Sequence, residues 1–200
     1  PLSFAQQRLW FLDQLAPGSS AYNVPGALRL TGRLNVDALS RTISEIVRRH
    51  ETLRTTFKPE NGNPIQIIAP GQPFELRQID LRAETPRKRE EEARNLATKE
   101  ARTPFDLSIG PLFRATLLQL DENEHVLLIN MHHIVSDGWS LGVFIREFTA
   151  LYAAFSEGQP SPLPDLPIRY EDFAVWQRDR LQGEFLERQL DFWRRRLAGL

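Results

Sequence analysis

The spacing of apolar residues changes period along the chain, and each change predicts an element. Phe4, Phe11 and Leu15 share one helical face; Ser3 and Gln6 have the spacing of a capping box ahead of it, and Pro17-Gly18 ends it. Residues 24–30 read as extended. Asn35 is suited to cap a second helix, on which Val36, Leu39, Ile43, Ile46 and Val47 form a stripe. Arg48, Arg49 and His50 close that helix at the end where its dipole favours positive charge. Over residues 53–57 the period falls to two, with Leu53, Thr55 and Phe57 on one face and Arg54 and Thr56 on the other, which predicts a strand. Residues 64–69 and 74–79 are shorter strand candidates.

The stretch TPRKREEEARNLATKEA (85–101) predicts a helix with a narrow stripe of Ala93, Leu96, Ala97 and Ala101; its charge run reads as a solvated face rather than a docking surface. PLFRATLLQL and EHVLLINMHH flank a turn-like Asp121-Glu122-Asn123-Glu124, so they predict an antiparallel hairpin. Both are apolar on both faces, as central strands of a covered sheet are. Leu141, Phe144, Ile145, Phe148, Leu151, Tyr152 and Phe155 mark a strong helix over 140–156. Pro160, Pro162, Pro164 and Pro167 make 157–168 a loop, and 170–197 is helical with a weak point at Gly183. The order of elements predicts an α+β fold, a mixed and at least partly antiparallel sheet packed by helices.

Composition narrows the field mainly by exclusion. The 200 residues suffice for one domain with a substantial core, and 41% hydrophobic with 26% charged residues is ordinary for a globular protein. With 25 basic against 26 acidic residues, nothing asks for nucleic acid or an anionic membrane as partner. No apolar run is long enough to span a bilayer and no signal peptide is visible, so cytoplasmic residence is the expectation. The lack of cysteine excludes disulfides, thiolate metal sites and cysteine nucleophiles. A start at Pro1 and an end just past an amphipathic stretch lead us to expect a piece of something longer.

The candidate chemistry sits in MHHIVSDGWS (131–140), which holds two of the four histidines. Successive side chains of a strand point to opposite faces, so His133 continues the face of Met131 and Ile129 while His132 continues that of Asn130 and Leu128. That separation argues against a shared metal, as does the lack of a helical His-x-x-x-His arrangement. Ser136, His133 and Asp137 lie too close in sequence to align as a triad. Asp137-Gly138 ahead of a helix is explained as a capping turn, which leaves the histidines unexplained.

These residues resemble the HHxxxDG motif of nonribosomal peptide synthetase condensation domains, with His132, His133, Asp137 and Gly138 in the motif positions. SFAQQRLWFLDQL (3–15), RHETLRTTF (49–57) and YEDFAVWQ (170–177) resemble the first, second and fourth core motifs of that family, in its order. The resemblance implies a chloramphenicol-acetyltransferase-like topology. In that family two such lobes form a V with the motif in the cleft; only first-lobe motifs occur here, so residues 1–200 are expected to be an N-terminal lobe without its second lobe. Histidines stand where heterocyclisation relatives carry aspartates, and HHIVSDGWS is similar to versions that join an L-configured donor to an L-configured acceptor.

The implied reaction is attack by the α-amine of an aminoacyl thioester on a peptidyl or acyl thioester. Both ride on 4'-phosphopantetheine arms of donor and acceptor carrier domains, so no permanent cofactor is expected. The second lobe and a neighbouring adenylation domain are the further implied partners. His133 would accept or orient the amine proton; an imidazole near pKa ~6.5 suits an amine near about 8. The resemblance makes Asp137 a structural residue ion-paired with an arginine, Arg54 being one candidate and a second-lobe arginine the other. Gly138 serves either close backbone approach and an oxyanion, or simple turn geometry. His132 is read as a hydrogen-bonded core residue; Ser136 and Trp139 complete the motif. His50 and His125 need no role beyond helix end and strand start. Trp10, Trp139, Trp176 and Trp193 are expected to pack, and RRRLAGL to be a solvated last turn.

Two other readings stay open: a coenzyme A-dependent acyltransferase of the same superfamily, and a non-catalytic folding or docking unit. A half-cleft would also leave an apolar face prone to self-association.

Overall fold

The computed structural model describes residues 1–199; Leu200, the end of RRRLAGL, lies outside the described residues. Helix α1 (Phe4–Leu15) opens on a closed capping box: the Gln6 N–H donates to Ser3 Oγ at 3.2 Å and the Ser3 N–H to Gln6 Oε1 at 2.9 Å. Strand β1 (Asn23–Thr31) follows, then α2 (Val36–Arg49), capped by the Asn35 side chain on the Ala38 N–H. The remaining elements are β2 (Thr55–Glu60), β3 (Asn63–Ile68), β4 (Arg77–Asp80), α3 (Pro86–Arg102), β5 (Phe113–Asp121), β6 (Glu124–His132), α4 (Gly138–Ser156), α5 (Tyr170–Arg180) and α6 (Gly183–Leu197).

Four strands form a mixed sheet in the order β1-β6-β5-β4, antiparallel except for the parallel pair β4–β5; β2 and β3 make a separate antiparallel pair. The expected hairpin is β5–β6, and its strands are central. Their two apolar faces meet two different layers. Leu127, Ile129 and Met131 of β6 pack with Ala115 and Leu117 of β5 beneath α2 and α4. Val126 and Leu128 join Leu118 and Leu120 against Ala93, Leu96 and Ala97 of α3. Helices on both faces explain why neither strand shows a polar side. The fold is thus α+β, with a mixed sheet packed by helices, as expected.

Two expectations are corrected, for residues 53–57 and for the tryptophans. Residues 53–57 do not begin as strand: Glu51–Arg54 is a single 3-10 turn and β2 starts at Thr55. The Thr55 hydroxyl bonds the Glu51 carbonyl at 2.7 Å, so the turn is satisfied locally while Leu53 still reaches the core. The apolar stripe of α1 points outward: Phe4, Phe11 and Leu15 are exposed, and the helix is anchored through Leu9 and Gln6. Of the four tryptophans only Trp10 packs against the core; Trp139, Trp176 and Trp193 are 85%, 59% and 54% exposed. Among the described residues α5 buries only Ala174 and α6 nothing. No described helix is long and apolar enough to cross a membrane.

Leu127, fully buried where β1, β5 and β6 meet, tests the central packing. Leu127→Ala is expected to cost about 2–5 kcal/mol, read as a lower urea midpoint at unchanged slope.

Candidate active site

Strand β6 ends at a tight turn whose bonds all converge on His132. Its backbone N–H bonds Leu112 O at 3.0 Å, and its carbonyl accepts the Val135 N–H at 3.0 Å and the Ser136 hydroxyl at 3.2 Å. Its ring nitrogen Nδ1 accepts the Ile134 N–H at 3.1 Å, which leaves the ring proton on Nε2. The ring is buried between Tyr22 and Phe105, each centroid 6.2 Å away. Burial, with the neighbouring His133, drops its pKa to about 4. His132 is therefore neutral and closed off from solvent, a core histidine as expected.

His133 is its opposite. The strand alternation turns it to the other side, its backbone N–H is held by Tyr22 O at 2.8 Å, and the side chain is exposed with no hydrogen bond among the described residues. The ring lines a cavity of about 720 Å³ walled by Ile46, Leu53, Met131, Val143 and Phe144. The two histidines do face different environments. No group of three His, Cys, Asp or Glu among the described residues could hold a metal.

Asp137 caps α4: its Oδ1 accepts the Ser140 N–H at 2.7 Å, and Ser140 Oγ accepts the Asp137 N–H at 2.7 Å. The expected Asp137–Arg54 ion pair is not formed. Arg54 lines a second cavity, donates to Ala69 O there, and pairs with Glu51 at 2.8 Å. Asp137 already spends its carboxylate on the cap, and the described residues give it no cationic partner. Gly138 is the first residue of α4 and is not left-handed; a Cβ there would meet no atom within 4 Å. Turn geometry therefore does not require glycine, and neither does crowding within the chain. What remains is open space beside the two helix-opening N–H groups, of Gly138 and Trp139, that no described residue bonds. Ser136 is buried in the turn, and Trp139 lines the cavity while mostly exposed.

The wall opposite His133 contains groups the sequence reading left without a role. His50 Nε2 lies 2.7 Å from the Glu147 carboxylate, and Arg49 Nε lies 3.3 Å from it. Glu147 is buried, although it belongs to the apolar helix α4. The signal was available: Phe144, Glu147 and Leu151 share the inward face of that helix, where an acid needs a partner. Arg169, at the head of α5, pairs with Glu51 at 2.9 Å and lines the same cavity.

A family model described as "Condensation domain" matches residues 1–200. Chondramide synthase cmdD of Chondromyces crocatus is 48% identical over 198 residues, which is 99% of this chain and 5% of that protein. Phosphinothricin tripeptide synthetase PhsC of Streptomyces viridochromogenes is 45% identical, with 18% of that protein covered. The chain thus spans a small part of these relatives. Among solved structures, the X-domain from teicoplanin biosynthesis superposes with a TM-score of 0.85 at 33% identity, over 100% of this chain and 43% of that one. The first condensation domain of the calcium-dependent antibiotic synthetase, 26% identical in complex with a substrate analogue, gives 0.84 over 97% of this chain and 46% of that one.

Two stability experiments follow from the turn. His132 holds its proton less tightly folded than unfolded, so between about pH 6.5 and about 4 the unfolded chain binds more protons and stability falls as pH falls. The buried His125, lowered mainly by desolvation, acts in the same direction. His132 contributes up to about 3 kcal/mol to this slope, and urea unfolding of His132→Phe near neutral pH and near pH ~5 is expected to show a correspondingly flatter dependence. Asp137→Ala removes the cap and is expected to lower stability by about 1 kcal/mol in the same assay.

Proposed function

The chain belongs to the condensation-domain family, and from that premise we propose that it carries the catalytic histidine for amide-bond formation in nonribosomal peptide synthesis. The observation that supports this best is the His133 imidazole, bonded by no described residue and lining the cavity beside the opening of α4. The substrates are a peptidyl or acyl thioester as donor and an aminoacyl thioester as acceptor, each on the 4'-phosphopantetheine arm of a carrier domain.

In this reaction the acceptor amine attacks the donor carbonyl while His133 accepts or orients its proton. The tetrahedral oxyanion forms beside the Gly138 and Trp139 N–H groups, where the helix start favours negative charge. Collapse expels the thiolate, which takes up the proton, and leaves the amide. A positioned base typically contributes about 10²–10⁴-fold, whereas holding two tethered reactants in register is worth roughly 7–11 kcal/mol. Positioning is the larger share. His132 and Asp137 serve it indirectly, one fixing the turn that presents His133 and the other fixing α4.

Solved relatives are roughly twice the length of this chain, which covers 43% and 50% of two of them. That proportion supports reading residues 1–200 as one lobe, its cavity completed by a second. A second reading is a docking unit without turnover of its own. It is favoured by the teicoplanin X-domain, 32% identical to this chain and solved in complex with OxyB.

A single-turnover assay with loaded donor and acceptor carriers, with and without the second lobe, separates these readings by intact mass. Amide is expected once the second lobe is supplied. His133→Ala is expected to slow it by about 10²-fold or more with an unchanged melting temperature, since no described residue bonds the side chain. A folded variant as fast as wild type removes His133 as base; no amide in either arm favours the docking unit.

A further inference from the structure

We propose that His50 is a second working imidazole of the cavity, and that its Nδ1 accepts an amide N–H of the thioester-linked substrate or of the arm that carries it. The assignment rests on the functional reading above and supplies a substrate contact to it.

His50 ends α2 in an extended conformation, with its backbone N–H bonded to Ile46 O at 2.9 Å, so the direction of its side chain is set by the helix. Nε2 lies 2.7 Å from Glu147 Oε2. An ionised carboxylate only accepts, so Nε2 is the donor and, in the neutral ring, Nδ1 carries the lone pair. Arg49 holds the same carboxylate, whose side chain is 9% exposed, which keeps Glu147 in place. No described residue bonds His50 Nδ1, and the ring lines the cavity that His133 lines.

A clasp between α2 and α4 alone would not require an imidazole, because Arg49 already neutralises Glu147. What His50 adds is one fixed ring acceptor in a cavity whose lining mixes Ile46, Leu53, Val143 and Phe144 with polar groups such as Glu51 and Arg169. A fixed neutral acceptor beside apolar wall residues favours a ligand that brings an uncharged hydrogen-bond donor with it. The substrates of the proposed reaction are rich in such donors: secondary amides occur along the phosphopantetheine arm and in a peptidyl donor.

The test uses the complete condensation domain that contains this chain. One arm compares an aminoacyl pantetheine thioester with the same aminoacyl group on a simple alkyl thiol that lacks amides. The other compares a peptidyl donor with its ester-linked counterpart. His50→Phe keeps a ring and deletes both nitrogens. It is expected to raise KM about three- to tenfold for the amide-containing member of one pair, to leave the amide-free member unchanged, and so to identify which amide is bound. Glu147→Gln still accepts from Nε2 and should retain most of the discrimination. His50→Gln keeps a donor toward Glu147 without Nδ1 and carries the same test if the phenylalanine variant does not fold.

Calorimetric binding of a non-hydrolysable amide analogue of the pantetheine thioester separates this inference from the functional reading. A wild type that binds it, and loses affinity in His50→Phe, yet forms no amide, leaves His50 standing and removes the catalytic reading. A wild type that does not bind it overturns the assignment. So does a folded variant that binds equally well, or one that only melts lower with KM intact.

Discussion

A strand buried on both faces cannot simply stop, because its last backbone groups have no water to turn to. In β6 that constraint is met from inside: the His132 ring takes the Ile134 N–H, and its carbonyl takes the Val135 N–H and the Ser136 hydroxyl. The turn is rigid because of these bonds, and everything at the cavity is placed relative to it. His133 leaves in the opposite direction by strand parity alone, and Asp137 arrives just where the first turn of α4 needs an acceptor. Adjacent residues of one type thus carry opposite duties, set by environment rather than by chemistry.

Most of the architecture was legible because local chemistry and global packing agree. The Ser3–Gln6 box, the Asn35 cap, the two-faced apolar strands and the proline-rich 157–168 each signal one conformation. Failures arose where a pattern has two physical causes. Alternation at Leu53, Thr55 and Phe57 suggested strand from residue 53, yet a 3-10 turn held by a threonine hydroxyl buries Leu53 equally well. Three of the tryptophans were expected to pack and do not, because sequence pattern reports hydrophobicity and not which surfaces exist to cover it.

The site was legible in its identities and less so in its connections. Parity along β6 separated the two histidines correctly. The family resemblance implied an arginine for Asp137, whereas in the structure its carboxylate takes one backbone N–H, that of Ser140. The Arg49–Glu147–His50 cluster spans residues about a hundred positions apart, and only the packing of α2 on α4 brings it together.

The two ends of the described chain hold each other. Ser3 Oγ meets the Tyr170 hydroxyl at 3.0 Å, the Phe4 N–H donates to Gln177, and Arg178 bonds Leu2 O and reaches Gln7. Residues 2–7 therefore meet these partners only once some 170 further residues have been added. Through most of synthesis α1 has its capping box and the Gln66 contacts to Gln6 and Pro1, but not the α5 side of its N-terminal turn. Closure of the cavity wall is correspondingly a late event, and the nascent chain carries its histidine turn before it has a finished pocket around it.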